Sequence, residues 1–155
     1  RRRRRRIKAE ALILDSCYRS VDEAAVGLMR RHLTRMPMLH SWLSLISGGE
    51  DGEDLESRLL VRLRRSVQQR AGFDIRDVNP EAACSSCTVP CLFAHAEGDE
   101  LIPPEHAAEL FEQYAGSRRA LCSFTGTHNS ARPRAFLEQV RAFLVRRLFR
   151  TLVSV

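Results

Sequence analysis

Thr88-Val89-Pro90-Cys91-Leu92-Phe93-Ala94 runs directly into His95-Ala96-Glu97-Gly98-Asp99-Glu100-Leu101-Ile102-Pro103, and this junction decides the fold. The first part is a continuous apolar run rather than an alternating one, which predicts a strand buried on both faces. The second part is polar and rich in turn formers, as expected where such a strand ends. Two further runs repeat the pattern. Ala11-Leu12-Ile13-Leu14-Asp15 predicts a strand that closes at Asp15-Ser16, and Ala120-Leu121-Cys122-Ser123-Phe124 predicts another, followed by Gly126-Thr127-His128-Asn129-Ser130.

Helical spacing fills the intervals. Val26, Met29, Leu33 and Met36 recur on one face between Val21 and Ile46, with a break at Pro37. Ser47 to Asp54 is a polar, Gly-rich loop, and Leu55 to Arg70 predicts an amphipathic helix with Leu55, Leu59, Leu63 and Val67 on one face. Phe73 to Asn79 reads as a connector ended by Pro80. Pro103-Pro104 suits the first turn of a helix that runs to about Tyr114 and stops at Gly116. Pro133 starts the last helix, with Phe136, Val140, Phe143 and Leu144 on one face. The order is strand, helices, strand, helix, strand, helix. It predicts an α/β fold, a truncated parallel sheet flanked by helices. A length of 155 residues fits one domain. The expected division is a disordered Arg run at 1–6 and one domain at 7–155 that includes a helical, cap-like segment at 22–70.

Composition narrows the function. The net charge is +6, and Arg1 to Arg6 supply all of it, so the body of the chain is neutral. No global basic surface exists to displace counterions from phosphates, which argues against a nucleic-acid partner. No apolar run approaches the roughly 20 residues that span a bilayer. Membrane contact by Arg146-Arg147-Leu148-Phe149-Arg150 is a weaker expectation than packing of that helix on the sheet. The chain begins without Met and shows no signal peptide, so it is expected to be a fragment or a processed product. Five cysteines do not form a secreted disulfide framework, and a reducing compartment, the cytoplasm, is expected.

Ligands in parallel α/β sheets bind at the carboxyl ends of the strands. Asp99 and His128 occupy such places after successive strands. An ionised aspartate there can hold a histidine tautomer and stabilise the imidazolium that forms during acyl transfer. At these residues the chain resembles the α/β-hydrolase superfamily, in its esterase, lipase and serine aminopeptidase-like branch. The family pattern His-Gly-x-x-Asp-x-x-Ile/Val-Pro is met at His95 to Pro103, with Ala96 in place of the glycine. Gly126-Thr127-His128-Asn129-Ser130-Ala131-Arg132-Pro133 is similar to the family's histidine turn, and Ile7 to Ser16 resembles its sixth strand. The resemblance implies that Asp99 is the triad acid and His128 the general base, in the C-terminal half of a serine hydrolase that cleaves an ester, thioester or amide. The substrate would be a small molecule or an acyl or peptidyl group, and no metal or organic cofactor is implied. The nucleophile of this family lies in a Gly-x-Ser-x-Gly elbow upstream of the sixth strand. No such motif occurs in the 155 residues. Ser16 follows a strand without flanking glycines and is not the nucleophile in the family. The chain alone is therefore expected to be inactive.

Blander roles compete with these. Asp99 could be a helix-cap aspartate before Pro103-Pro104, and His128 a loop histidine satisfied by hydrogen bonds. Together, at matching strand ends, they favour the triad reading. Cys84, Cys87, Cys91 and His95 have zinc-like spacing, but alternation along a strand scatters such side chains, while zinc needs four convergent ligands. His95 is expected to support the acid turn. His106 is expected in the first turn of a helix at the surface, and His32 and His40 on helix surfaces. Trp42, Met36 and Met38 could line an acyl pocket, although ordinary core packing is the stronger expectation. The rival function is a non-catalytic α/β-hydrolase-like binding or scaffold domain.

Overall fold

The computed structural model describes residues 9–36, 38 and 55–152. The Arg run, Pro37, His40, Trp42 and the Gly-rich loop lie outside the described residues. Within them the chain is α/β, with a small parallel sheet flanked by helices. β1 is Leu12–Asp15. Helix α1 (Val21–Arg35) and helix α2 (Leu55–Ala71) follow, then a 3-10 turn at Ile75–Asp77. The short helix α3 (Pro80–Cys84) leads to β2 (Cys91–Ala96). Helix α4 (Glu105–Gln113), β3 (Arg119–Phe124) and helix α5 (Arg134–Leu152) complete the order.

The sheet has three strands in the order β1-β2-β3, all parallel. Leu12 pairs with Cys91 and Asp15 with Ala94, while Cys91 pairs with Arg119 and Ala96 with Phe124. Every residue of β2 is buried. That is why its sequence is a continuous apolar run: a central strand covered on both faces has no solvent side to show. On one face Phe93 meets Phe111 and Tyr114 edge-on, at centroid distances of 5.9 and 5.3 Å. Cys84, Cys91 and Leu110 close this cluster. On the other face Ala94 and Ala96 pack with Phe124 and Phe136, whose rings stack at 4.6 Å. Burying a ring such as Phe93 stabilises by about 1.5–3 kcal/mol. Phe136 thus docks the start of α5 on the sheet, as expected for the last helix. Among the described residues, no helix is long and apolar enough to cross a membrane.

Several boundaries differ from expectation for identifiable reasons. The expected strand from Thr88 begins only at Cys91. Pro90 has no N–H to give to the ladder, and the segment before it serves α4 and its end instead. The Val89 carbonyl accepts from the Tyr114 hydroxyl at 2.6 Å, and the Cys87 carbonyl from the Gly116 amide at 3.0 Å. At its other end β2 runs on through His95 and Ala96, which pair with Ser123 and Phe124. Pro80 starts a helix rather than ending a connector, because its fixed φ and missing N–H suit a first helical turn. On α2, Leu63 is exposed and does not belong to the inner face. Met36 and Met38 are 54% and 86% exposed, so neither is a core residue.

Contacts divide the chain into two compact units. One joins Arg1–Cys17 to Glu81–Val155 and contains the sheet, and the other is Tyr18–Pro80. Within the second, Arg64 forms a fork with Asp22 and Arg30 with Glu56, tying α1 to α2.

Candidate functional site

Asp15 closes β1, and Asp99 and His128 lie in the turns after β2 and β3, all at the carboxyl edge of the sheet. The turns that carry Asp99 and His128 are joined through their backbones. The Glu97 amide donates to the Phe124 carbonyl and the Gly98 amide to the Gly126 carbonyl, both at 2.9 Å. This close approach explains the glycines. A Cβ on Gly98 would lie 2.9 Å from the Gly126 oxygen. A Cβ on Gly126, whose φ is +151°, would lie 2.4 Å from Ser130 Oγ.

The Asp99 side chain is fully shielded from solvent, whereas that of His128 is 29% exposed. Asp99 Oδ1 accepts from the backbone amides of Leu101 and Ile102, each at 2.9 Å, and so closes its own turn. Its Oδ2 faces His128 Nδ1 at 2.8 Å. Burial works to raise the Asp99 pKa, but the Ile102 amide, His128 and the Leu101 amide outweigh it and hold the carboxyl below the usual carboxylate range. An ionised carboxylate only accepts hydrogen bonds, so His128 donates from Nδ1. Its neutral ring then carries the lone pair on Nε2, on the opposite edge.

His95 lies inside β2 rather than after it and is 2% exposed. Its Nε2 sits 2.9 Å from the Ile102 carbonyl and 3.3 Å from Asp99 Oδ2. A carbonyl accepts, so this nitrogen donates to Ile102 and lies close beside the Asp99 carboxylate. The expected supporting role of His95 therefore has a geometry. His95 Nδ1 is buried with no hydrogen-bond partner.

Zinc geometry is absent among the described residues, where no group of three or more His, Cys, Asp or Glu is set to hold a metal ion. Alternation is not what separates Cys91 and His95. Both lie on one face of β2, four residues apart, which is roughly 13 Å at strand rise. Cys84 and Cys91 are instead core residues with free thiols. Burial first, then the neighbouring Cys84, pushes the Cys91 thiol up to about 12. His106 lies half-buried in the first turn of α4, and the His32 side chain is outside the described residues.

Two residues that sequence reasoning left without a role stand beside the pair. Arg132 forks onto Asp15, with Nε 2.7 Å from Oδ2 and one terminal nitrogen 3.2 Å from Oδ1. Its other terminal nitrogen donates to the Ser130 and His128 carbonyls at 2.9 and 3.2 Å. The only sequence signal was an acid closing one strand and an arginine in the polar turn after another.

Three serines near these strand ends are engaged elsewhere. Ser16, in a left-handed conformation with φ 53°, donates to Asp15 Oδ1 at 3.2 Å. Ser130 Oγ bonds within its own turn to the Thr127 amide and carbonyl, and Ser123 Oγ to Glu97. An open cavity of about 500 Å³ occurs in the Tyr18–Pro80 unit, lined by Arg64, Arg65, Gln68, Gln69, Asp74 and Arg76, none of them a predicted site residue. Compared with models of known protein families and with curated proteins, the chain matches none.

Proposed function

We propose that this chain supplies the acid and the base of a serine hydrolase of the α/β-hydrolase type, cleaving an ester, thioester or amide by acyl transfer. The observation that carries the reading is the 2.8 Å contact between a fully shielded, ionised Asp99 and His128 Nδ1. It leaves the basic Nε2 of a partly exposed ring for a proton in transit. In this scheme His128 takes the proton of a serine as the hydroxyl attacks the acyl carbon. It then returns that proton to the leaving group. Asp99 holds the tautomer that makes the first step possible and stabilises the imidazolium between the two. The serine and the oxyanion hole would come from polypeptide beyond these 155 residues, since no Gly-x-Ser-x-Gly occurs within them.

The same lack of an elbow favours the second reading, a non-catalytic binding or scaffold domain. One experiment separates the two. The coding sequence upstream of Arg1 is read for a Gly-x-Ser-x-Gly, and the longest product is treated with a fluorophosphonate probe. Labelling of a serine that falls sharply in His128→Ala, with no labelling of the 155-residue chain alone, supports the hydrolase. Absence of the motif, or labelling indifferent to His128, supports the binding domain.

A further inference from the structure

We infer that Asp15 and Arg132 form the positioning element of His128: the ion pair braces the histidine turn against the end of β1 and so holds the imidazole against Asp99. The inference rests on the acid and base reading above and adds two residues to it. His128 sits in a turn between β3 and α5 that has no ladder of its own. Within it, Ser130 Oγ holds Thr127 by two bonds, at 2.9 Å to its amide and 3.0 Å to its carbonyl. The carbonyl of His128 itself is held by Arg132, at 3.2 Å. The same guanidinium nitrogen reaches the Ser130 carbonyl at 2.9 Å and, more distantly, the Thr127 carbonyl at 3.4 Å.

The remaining donors of Arg132 fix where that hand is. They form the side-on fork with Asp15, the last residue of β1, across 117 positions of sequence. Asp15 is a firm abutment. It is paired in register with Ala94 of β2, and the next amide, that of Ser16, donates to the Ala94 carbonyl at 2.9 Å. From below, the guanidinium lies over the Phe124 ring, 4.9 Å from its centroid, and that ring is stacked on Phe136 in the core.

Arginine is needed for this. A planar fork can serve a carboxylate on one edge and carbonyls on another, whereas an ammonium is a point charge. The side chains of Arg132 and Asp15 are 23% and 29% exposed, so solvent screens the pair and it contributes little to global stability. Its effect is on the place of His128, which is what catalysis reads.

The test uses Arg132→Lys, Arg132→Gln and Asp15→Asn. In the 155-residue chain, nitrogen-edited NMR follows the His128 Nδ1 proton, with Asp99→Asn as the reference for a lost contact. All three variants are expected to lose that resonance to exchange while keeping a near-parental thermal midpoint. In the serine-containing protein they should slow fluorophosphonate reaction by about 100-fold, the scale of a small misplacement of a reacting group, with KM for an ester little changed. A folded variant that keeps both the resonance and the rate overturns the inference. So does full rescue by Arg132→Lys, which would mean that charge alone matters. If the arginine variants fail to fold, Asp15→Asn decides by the same readings. If the resonance is lost as expected but the parent protein hydrolyses nothing, the hydrolase reading fails and the positioning role stands.

Discussion

Asp99→Asn is the substitution whose consequences the geometry constrains most. The amide must choose an orientation. Placing its NH2 towards Leu101 and Ile102 would set donor against two backbone donors now 2.9 Å away, so the oxygen keeps that side. The NH2 then faces His128 Nδ1 and His95 Nε2, at the positions now 2.8 and 3.3 Å from Oδ2. His128 can meet a donor only by giving up its Nδ1 proton, which moves the proton to Nε2 and removes the base. In the proposed serine-containing hydrolase, a triad locked in the wrong tautomer would lose about 10⁴ in kcat. The folding cost follows from the same contacts. Three hydrogen bonds change from charged to neutral or are broken, at about 1 kcal/mol each, giving about 3 kcal/mol at pH 7. The pH dependence has a definite sign. The folded-state pKa of Asp99 is lowered, so its contribution is fully present above the unfolded value of about 3.9 and is lost as pH falls through the lower folded value. Urea unfolding of parent and variant from pH 7 to pH 2.5 should show a difference of about 3 kcal/mol that shrinks once pH drops below about 4. A variant as stable as the parent at pH 7, or a difference that is constant with pH, would refute an ionised, engaged Asp99.

Gly126→Ala forces a Cβ to 2.4 Å from Ser130 Oγ at a φ of +151°. It should cost about 1–3 kcal/mol in urea unfolding and shift the His128 ring signals, while an unchanged spectrum would count against the tightness of that turn. Phe93→Ala empties the centre of one core cluster, where the ring is 0% exposed, and should cost about 3–5 kcal/mol in the same assay. Cys91, buried and with its thiol pushed up to about 12, should resist iodoacetamide in the folded chain at pH 8 and react in urea, as mass spectrometry would read. β1 is an edge of the three-stranded sheet with Ile13 36% exposed, so the isolated chain should self-associate on size exclusion as concentration rises, and Ile13→Lys should reduce this. A monomer at every concentration would refute that.

β2 was legible because burial on both faces leaves a mark that needs no partner to be read: Leu92, Phe93 and Ala94 are apolar in succession and all buried. The runs at β1 and β3 placed those strands too, but not their burial: at the sheet's edges Ile13 and Leu121 are exposed. The meeting of Asp99 with His128 was legible for a related reason. In a parallel sheet, polar turns after adjacent strands share an edge, so two residues 29 positions apart could be placed together without coordinates. Boundaries set by a single missing N–H were not legible. Pro90 delays β2 and Pro80 opens α3, and proline alone does not say which side of it the regular structure lies. The fork from Arg132 to Asp15 was hidden for a different reason. It joins the first strand to the last turn, and its value lies in carbonyl acceptors, which every residue carries and no side-chain pattern marks. Leu63 was misplaced because helical periodicity gives a face only to within the width of its apolar stripe.

The Asp99–His128 pair is set by contacts within the fold itself. Asp99 is closed on itself by the Leu101 and Ile102 amides, and His95, from inside β2, holds the far end of the same turn through the Ile102 carbonyl. The two amides, together with His128, keep the carboxylate charged although no solvent reaches its side chain. The cost of holding a buried negative charge is thus met when the sheet and its turns fold, not when His128 gains a proton. Electrostatic stabilisation of this kind accelerates a reaction only if the dipoles are already in place as charge develops. His128, by contrast, is held by its side-chain contact with Asp99 and by a backbone bonded to Arg132, and its side chain stays 29% exposed. In the proposed hydrolase, a rigid acid and an accessible base are what acyl transfer would ask of Asp99 and His128. A capping aspartate accounts for the two amide bonds of Oδ1 but not for the 2.8 Å contact of Oδ2 with His128.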